Sequence, residues 1–239
     1  MRETASILPL QLDGLGFAAS GERLLRDVTL TVRPRRRLVI LGPNGAGKSL
    51  LLRLCHGLLR PSAGRITWAA PERAARAQAM VFQRPVLLRR SAMGNILHAL
   101  AVQGHARRAR RARAARVLER FNLGALADRP ARLLSGGEQQ RLAMARAWAL
   151  VPEILFLDEP CAQLDPASTR LIEEMIARFS ADGMTIVMTT HDLGQARRLA
   201  EDVAFLHRGR LVEASDAARF FAHPASSEAR GFLAGELIL

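Results

Sequence analysis

The segment that most restricts this chain is Gly42-Pro43-Asn44-Gly45-Ala46-Gly47-Lys48-Ser49, a G-x-x-x-x-G-K-S run between the apolar stretch Arg37 to Leu41 and a helical pattern over Leu50 to Leu59. Strand, glycine loop and helix in that order let successive backbone N–H groups converge on phosphate oxygens where the helix dipole is positive. In such a loop Lys48 reaches the terminal phosphates and the Ser49 hydroxyl ligates Mg2+. The chain is therefore expected to bind a nucleoside triphosphate through residues Gly42 to Leu50. Composition sharpens the point, because 34 of the 35 basic residues are arginine and Lys48 is the single lysine. A planar guanidinium cannot replace a compact ammonium, so this lysine is expected to be chemical.

A second signal lies at Ile154-Leu155-Phe156-Leu157-Asp158-Glu159, an apolar strand that delivers two acids at its C-terminal edge. In an open α/β sheet that edge is where ligands sit. Asp158 suits Mg2+ coordination, direct or through water, and Glu159 suits the polarising of an attacking water. The third is Leu134-Ser135-Gly136-Gly137-Glu138-Gln139-Gln140-Arg141, heading a helical run to Leu150. Ser135 and Glu138 fit a capping box. Gly136 and Gly137 are costly in a first turn but expose amides on a positive dipole end, a second phosphate-binding surface.

The chain's 239 residues, 49% hydrophobic and 24% charged, are enough for a full globular core and argue against global disorder. No apolar run is long enough to span a bilayer and no leader pattern opens the chain, so it is expected to be neither integral nor exported. Cys55 and Cys161 lack metal spacing and point to a reducing compartment. The net charge of +13 invites nucleic acid or anionic membrane as partners. The basic run Arg107 to Arg120 reads first as a solvated helix face and second as a contact for anionic lipid headgroups.

Further organisation follows from periodicity. Ile7 to Phe17 and Val28 to Val32, split by the turn Ser20-Gly21-Glu22, form an antiparallel element. Gly64 to Trp68, Ala79 to Gln83, Ile154 to Asp158 and Thr185 to Thr190 read as further strands, buried and parallel where helices join them. Val203 to His207 and Arg210 to Glu213 flank a hairpin turn at Arg208-Gly209. Residues 84–150 read as a helical insertion, dividing a single domain of 1–239 into core segments 1–83 and 151–239.

With these motifs in this order, the chain resembles the ATPase subunit of an ATP-binding cassette (ABC) transporter, and Leu134 to Arg141 matches that family's signature octet in full. The resemblance implies an α/β fold, a P-loop NTPase (RecA-like) core with an N-terminal antiparallel β element and an inserted helical subdomain. It makes Gln83 the residue that contacts Mg2+ and the transmembrane partner, Asp165 a D-loop residue, His191 the contact to the γ-phosphate and Phe17 the aromatic that stacks on adenine. In the family two subunits pack head to tail, so Ser135, Gly136, Gly137, Glu138 and Asp165 would act in trans on ATP held by a second copy. The sequence departs from the family's habit at Cys161 and Gln163.

The function implied is ATP hydrolysis, with ATP and Mg2+ as cofactors, powering an importer from the cytoplasmic face of the membrane. Its partners would be transmembrane permease subunits, a second copy of itself and, indirectly, a solute-binding protein, with no nucleic acid expected. Gln83 to Ser91 and Thr190 to Ala196 are most similar to ATPases of oxyanion importers, those for tungstate, molybdate or phosphate. Alternatives are another small polar solute, such as an amino acid, and an ABC-type ATPase bound to nucleic acid.

Overall fold

The computed structural model describes residues 5–236. Its sequence order starts with strands β1 (Leu10–Ala19) and β2 (Glu22–Val32), joined by a turn in which Gly21 has a φ of 82°. They pair antiparallel, Leu10 opposite Val32, and alternate buried and exposed residues as a half-covered sheet requires. Strand β4 (Ala63–Trp68) pairs antiparallel with β1, giving a three-stranded sheet in the order β2-β1-β4. This corrects the sequence expectation, which grouped Gly64 to Trp68 with the other later strands. Strand β1 begins at Leu10 rather than Ile7 and runs on through Ala18 and Ala19, and β2 begins at Glu22 rather than Val28, because backbone pairing continues through the polar Glu22 and Arg23.

The larger sheet runs β5-β6-β7-β3-β8-β9. Here β3 is Arg37–Leu41, β5 Gln78–Val81, β6 Ile154–Asp158, β7 Thr185–Thr189, β8 Asp202–His207 and β9 Arg210–Asp216. All neighbours are parallel except the β8–β9 hairpin at one edge. Successive residues of β3 serve opposite faces. Leu38 and Ile40 join a core shared with the small sheet and helix α1 (Lys48–His56), while Val39 and Leu41 join the core under the remaining helices. Burial on both faces is why β3, β6 and β7 are continuous apolar runs.

Helices α3 (Ala92–Val102), α4 (Arg107–Arg120) and α5 (Gly136–Trp148) all lie between the adjacent strands β5 and β6 and pack on one another. Their apolar faces, including Ile96, Val117 and Met144, belong to the same core as Leu155 and Met188 of the sheet. Residues 84–90 ahead of α3 carry no helix, an exception to the expectation of an almost wholly helical insertion. The buried Asn95 anchors them, its side chain accepting the Leu88 amide at 2.8 Å and donating to the carbonyls of Leu88 and Ser91 at 3.3 and 3.0 Å. Helix α2 (Pro71–Ala77), which periodicity missed, leads into β5, and α6 (Pro166–Ala181) and α7 (Leu193–Leu199) flank β7. Two short helices, α8 (Ala217–Ala222) and α9 (Ser227–Ala234), close the chain against β8 and β9. No helix among the described residues is long and apolar enough to cross a membrane.

Candidate nucleotide site

The glycine loop leaves the C-terminal end of β3 and enters α1 two residues earlier than periodicity suggests. Two glycines are obligatory for backbone reasons. A Cβ at Gly42 would overlap the Leu206 carbonyl oxygen, and Gly47, which caps α1 with a φ of 98°, would press one against Leu25. Between them the loop is tied by Ala46 N–H to the Pro43 carbonyl at 3.2 Å, and its far side by Gly209 N–H to the Ala46 carbonyl at 3.1 Å. Asn44 and Gly45 are exposed at the crest, and Ser49 and Leu50 half-buried in the first helical turn.

Lys48 is 5% exposed, and its ammonium donates to the carbonyls of Gly42 and Pro43 at 2.8 and 3.1 Å. Burial pushes its pKa down, and the nearby carboxylates of Glu159 and Asp158 push it back up. An ammonium so held is aimed along the loop by the two carbonyls.

Two strands away, β6 delivers Asp158 and Glu159 at its end. The Ser49 hydroxyl donates to Asp158 Oδ1 at 2.6 Å. Parallel register places Thr189 of β7 beside Asp158, and its wholly buried hydroxyl donates to the same Oδ1 at 2.9 Å. That hydroxyl oxygen also accepts the Glu159 amide at 2.9 Å. This amide bond helps hold Glu159 in a left-handed conformation, φ 43°, unusual for a residue with a side chain and typical of functional turns.

The Glu159 carboxylate is approached from three sides. Gln83 Nε2 donates to Oε2 at 3.3 Å, His191 Nδ1 lies 3.3 Å from the same oxygen, and Lys48 Nζ is 3.9 Å from Oε1. Gln83 stands two residues beyond β5, because the strand ends at Val81 rather than at Gln83. His191 follows β7 by two residues and is half exposed. Asn44, Gln83, Glu159, Gln163 and His191 line one cleft of about 550 Å3, together with Cys161.

Phe17 does not join this cleft. It lies half-buried on β1 in a neighbouring hollow of about 630 Å3 with Arg23, Leu25 and Arg26, and Leu25 is the residue that abuts Gly47. The signature residues also stand elsewhere. Ser135 caps α5 by accepting the Glu138 amide at 3.3 Å, and Glu138 returns a bond from the Ser135 amide at 2.7 Å, completing the expected box. Gly137 has a packing reason as well, since a Cβ there would overlap the Ser168 hydroxyl. Ser168 in turn donates to Asp165, which caps α6, so the signature turn and the Asp165 turn form one continuous surface. None of Ser135, Gly136, Gly137, Glu138 and Asp165 lines the cleft beside the glycine loop.

Sequence reasoning missed Thr189 and Arg53. The Arg53 guanidinium, one turn along α1 from Ser49, comes within 3.9 Å of Asp158 Oδ2. A polar pair, Thr189-Thr190, ending an otherwise apolar strand was the available signal for the first. Nothing in the sequence pairs Arg53 with an acid 105 residues away.

For Mg2+ the donor set fits. A hydroxyl, a carboxylate and an amide oxygen on Ser49, Asp158 and Gln83 are hard ligands, and Ser49 and Asp158 already converge. Among the described residues no cluster of three His, Cys, Asp or Glu could hold a metal by itself, so such an ion would complete its shell with phosphate oxygens.

A phosphate-cradling loop, a strand-end acid pair and a mixed α/β sheet define a nucleoside triphosphatase of the P-loop class. The chain belongs to the ABC transporter family, whose model matches residues 25–162, and it is an ATP-hydrolysing transport ATPase. It is 36% identical to the phosphate import ATP-binding protein PstB 2 of Natronomonas pharaonis, across 96% of this chain and 87% of that protein. It is 40% identical to the nickel import ATP-binding protein NikO of Rhodobacter capsulatus, across 90% and 92%. Among solved structures it superposes, with a TM-score of 0.78 and 28% identity, on a dimeric ATP-binding cassette in a post-hydrolysis state with ADP and Pi. That match covers 87% of this chain and 98% of the other.

Proposed function

We propose that this chain is the ATP-hydrolysing subunit of an ABC importer, acting as a head-to-tail pair with a second copy on permease subunits at the cytoplasmic face of the membrane. The observation that carries the catalytic reading is the position of Glu159, within 3.3 Å of both Gln83 and His191 and 3.9 Å from Lys48. Loop amides from Gly42 to Leu50 and the Lys48 ammonium bind the phosphates, and Phe17 stacks on the base. Ser49, Asp158 and Gln83 would hold Mg2+, which supplies charge neutralisation on the phosphate oxygens. Glu159 orients the attacking water and takes its proton, and His191 contacts the γ-phosphate. Ser135, Gly136, Gly137, Glu138 and Asp165 complete the site from the other copy. Their position outside the cleft of their own chain supports that arrangement, as does the dimeric neighbour.

The test is Mg2+-dependent phosphate release by the purified chain, with recovery of hydrophobic permease subunits when it is captured from solubilised membranes. Failure of either result would overturn the corresponding half of the reading.

For cargo we propose an oxyanion such as tungstate, supported by the segments Gln83 to Ser91 and Thr190 to Ala196 and by the phosphate-import relative. The nickel-import relative favours a second reading, a different small solute. Solute-stimulated ATP hydrolysis by the reconstituted complex, compared for tungstate, molybdate, phosphate and nickel, decides between them.

A further inference from the structure

Helix α4 reads Arg-Arg-Ala-Arg-Arg-Ala-Arg-Ala-Ala-Arg-Val-Leu-Glu-Arg, seven arginines against one glutamate. It thus carries six of the chain's thirteen net positive charges in 14 of 239 residues. The chain-wide preference for arginine does not account for this concentration.

Local physics opposes the arrangement. The helix begins at Ala106 with no side-chain cap and no acid in its first turn, so Arg107 and Arg108 face the positive end of the dipole. Arg107 and Arg111, and Arg116 and Arg120, repeat like charges at i,i+4 spacing, which also costs stability. The fold compensates only part of it. Arg120 pairs with Asp182 at 2.9 Å, Arg113 donates to the Ala149 carbonyl at 2.7 Å, and Arg110 donates to the His105 carbonyl at 2.6 Å. Arg107, Arg108, Arg111 and Arg116 are exposed and have no hydrogen bond or ion pair among the described residues. Charge that burdens a helix and has no partner among the described residues marks a surface matched to something outside it.

Two neighbouring features give that partner an amphipathic character. Val102, at the end of α3 just before α4, is 75% exposed. A hollow of about 680 Å3 is lined by Arg113, Arg116, Val117, Glu119, Arg120 and Trp148, three guanidinium groups and one acid beside an apolar wall. Trp148 is no platform for stacking bases, because its indole N–H donates to Asp182 and Arg120 covers its ring at 4.8 Å. We infer that the outer face of α4 binds the anionic headgroups of a lipid leaflet. The inference rests on the proposed role at a membrane, where each arginine near the headgroups would raise the affinity about fivefold.

The test uses the purified full chain and permease-free vesicles, of phosphatidylcholine alone or mixed with phosphatidylglycerol. Co-sedimentation should show binding to the mixed vesicles only. The triple variant R108Q/R111Q/R116Q should lose about 100-fold in that affinity with phosphate release unchanged, which also shows that it folds. R60Q/R208Q/R219Q, an equal charge loss at exposed positions elsewhere, should lose far less. Equal losses in the two triples, or no loss in the first, would overturn the inference. So would a triple that loses affinity for duplex DNA while keeping that for vesicles. Because the vesicles hold no permease and hydrolysis is read separately, a normal ATPase that ignores vesicles refutes the lipid contact alone. Absence of hydrolysis or of copurified permease would instead refute the functional reading.

Discussion

The Ser49 hydroxyl donates to Asp158 Oδ1 at 2.6 Å, joining the first turn of α1 to the end of β6 across 109 residues of chain. That bond couples the phosphate loop to the acid pair, so a change on either side is expected to be read on the other.

Lys48→Arg should abolish turnover as fully as Lys48→Ala. The ammonium sits 5% exposed between two loop carbonyls, and a guanidinium is too broad for that space and bonds phosphate in a different geometry. Steady-state phosphate release is the measurement. An arginine variant with most of the wild-type rate would remove the lone lysine from the mechanism.

Glu159→Gln should stop hydrolysis while leaving ATP binding intact, since the amide keeps the shape but cannot take a proton. With the step blocked, Mg-ATP should accumulate a stable dimer in size-exclusion chromatography. A variant that stays monomeric under saturating ATP would count against pairing of two copies.

Thr189→Val should lower kcat by about 5- to 150-fold, the range given by ~1–3 kcal/mol for an orphaned buried donor such as the Glu159 amide. KM for ATP should change less than kcat, because the loop is reached only indirectly, through the Asp158 Oδ1 that Thr189 shares with Ser49. Thr189→Ser keeps the hydroxyl and should restore most of the rate. If serine fails to rescue, the threonine matters for packing of β7 rather than for positioning Asp158 and Glu159.

The segment after Gln83 offers a separable test of coupling to a permease. Val86 is 63% exposed, whereas Leu88 is half-buried with both main-chain groups bonded to Asn95. Val86→Glu should leave hydrolysis by the isolated subunit unchanged and uncouple reconstituted transport, because an unpaired charge buried at an interface costs several kcal/mol. Leu88→Glu should depress both. Transport that survives Val86→Glu would place the docking surface elsewhere.

The local structure legible in the sequence was that carried by contiguous residues. Gly42 to Ser49, Asp158-Glu159 and the capping box at Ser135 and Glu138 are local devices, because loop conformation, strand end and helix start are all dictated within a few residues. Continuous apolar runs likewise announced β3, β6 and β7 as buried strands of an α/β core. Tertiary structure decided what depends on register between distant segments. Only the parallel pairing of Asp158 with Thr189 makes that hydroxyl a bridge, and only the sheet order brings Gln83 and His191 to the same oxygen of Glu159. Placement of β4 against β1, and the contact that denies Gly137 a side chain, were equally invisible. Sequence records which groups a chain possesses and how each stretch bends, but partners separated by tens of residues are chosen by the packing of whole elements.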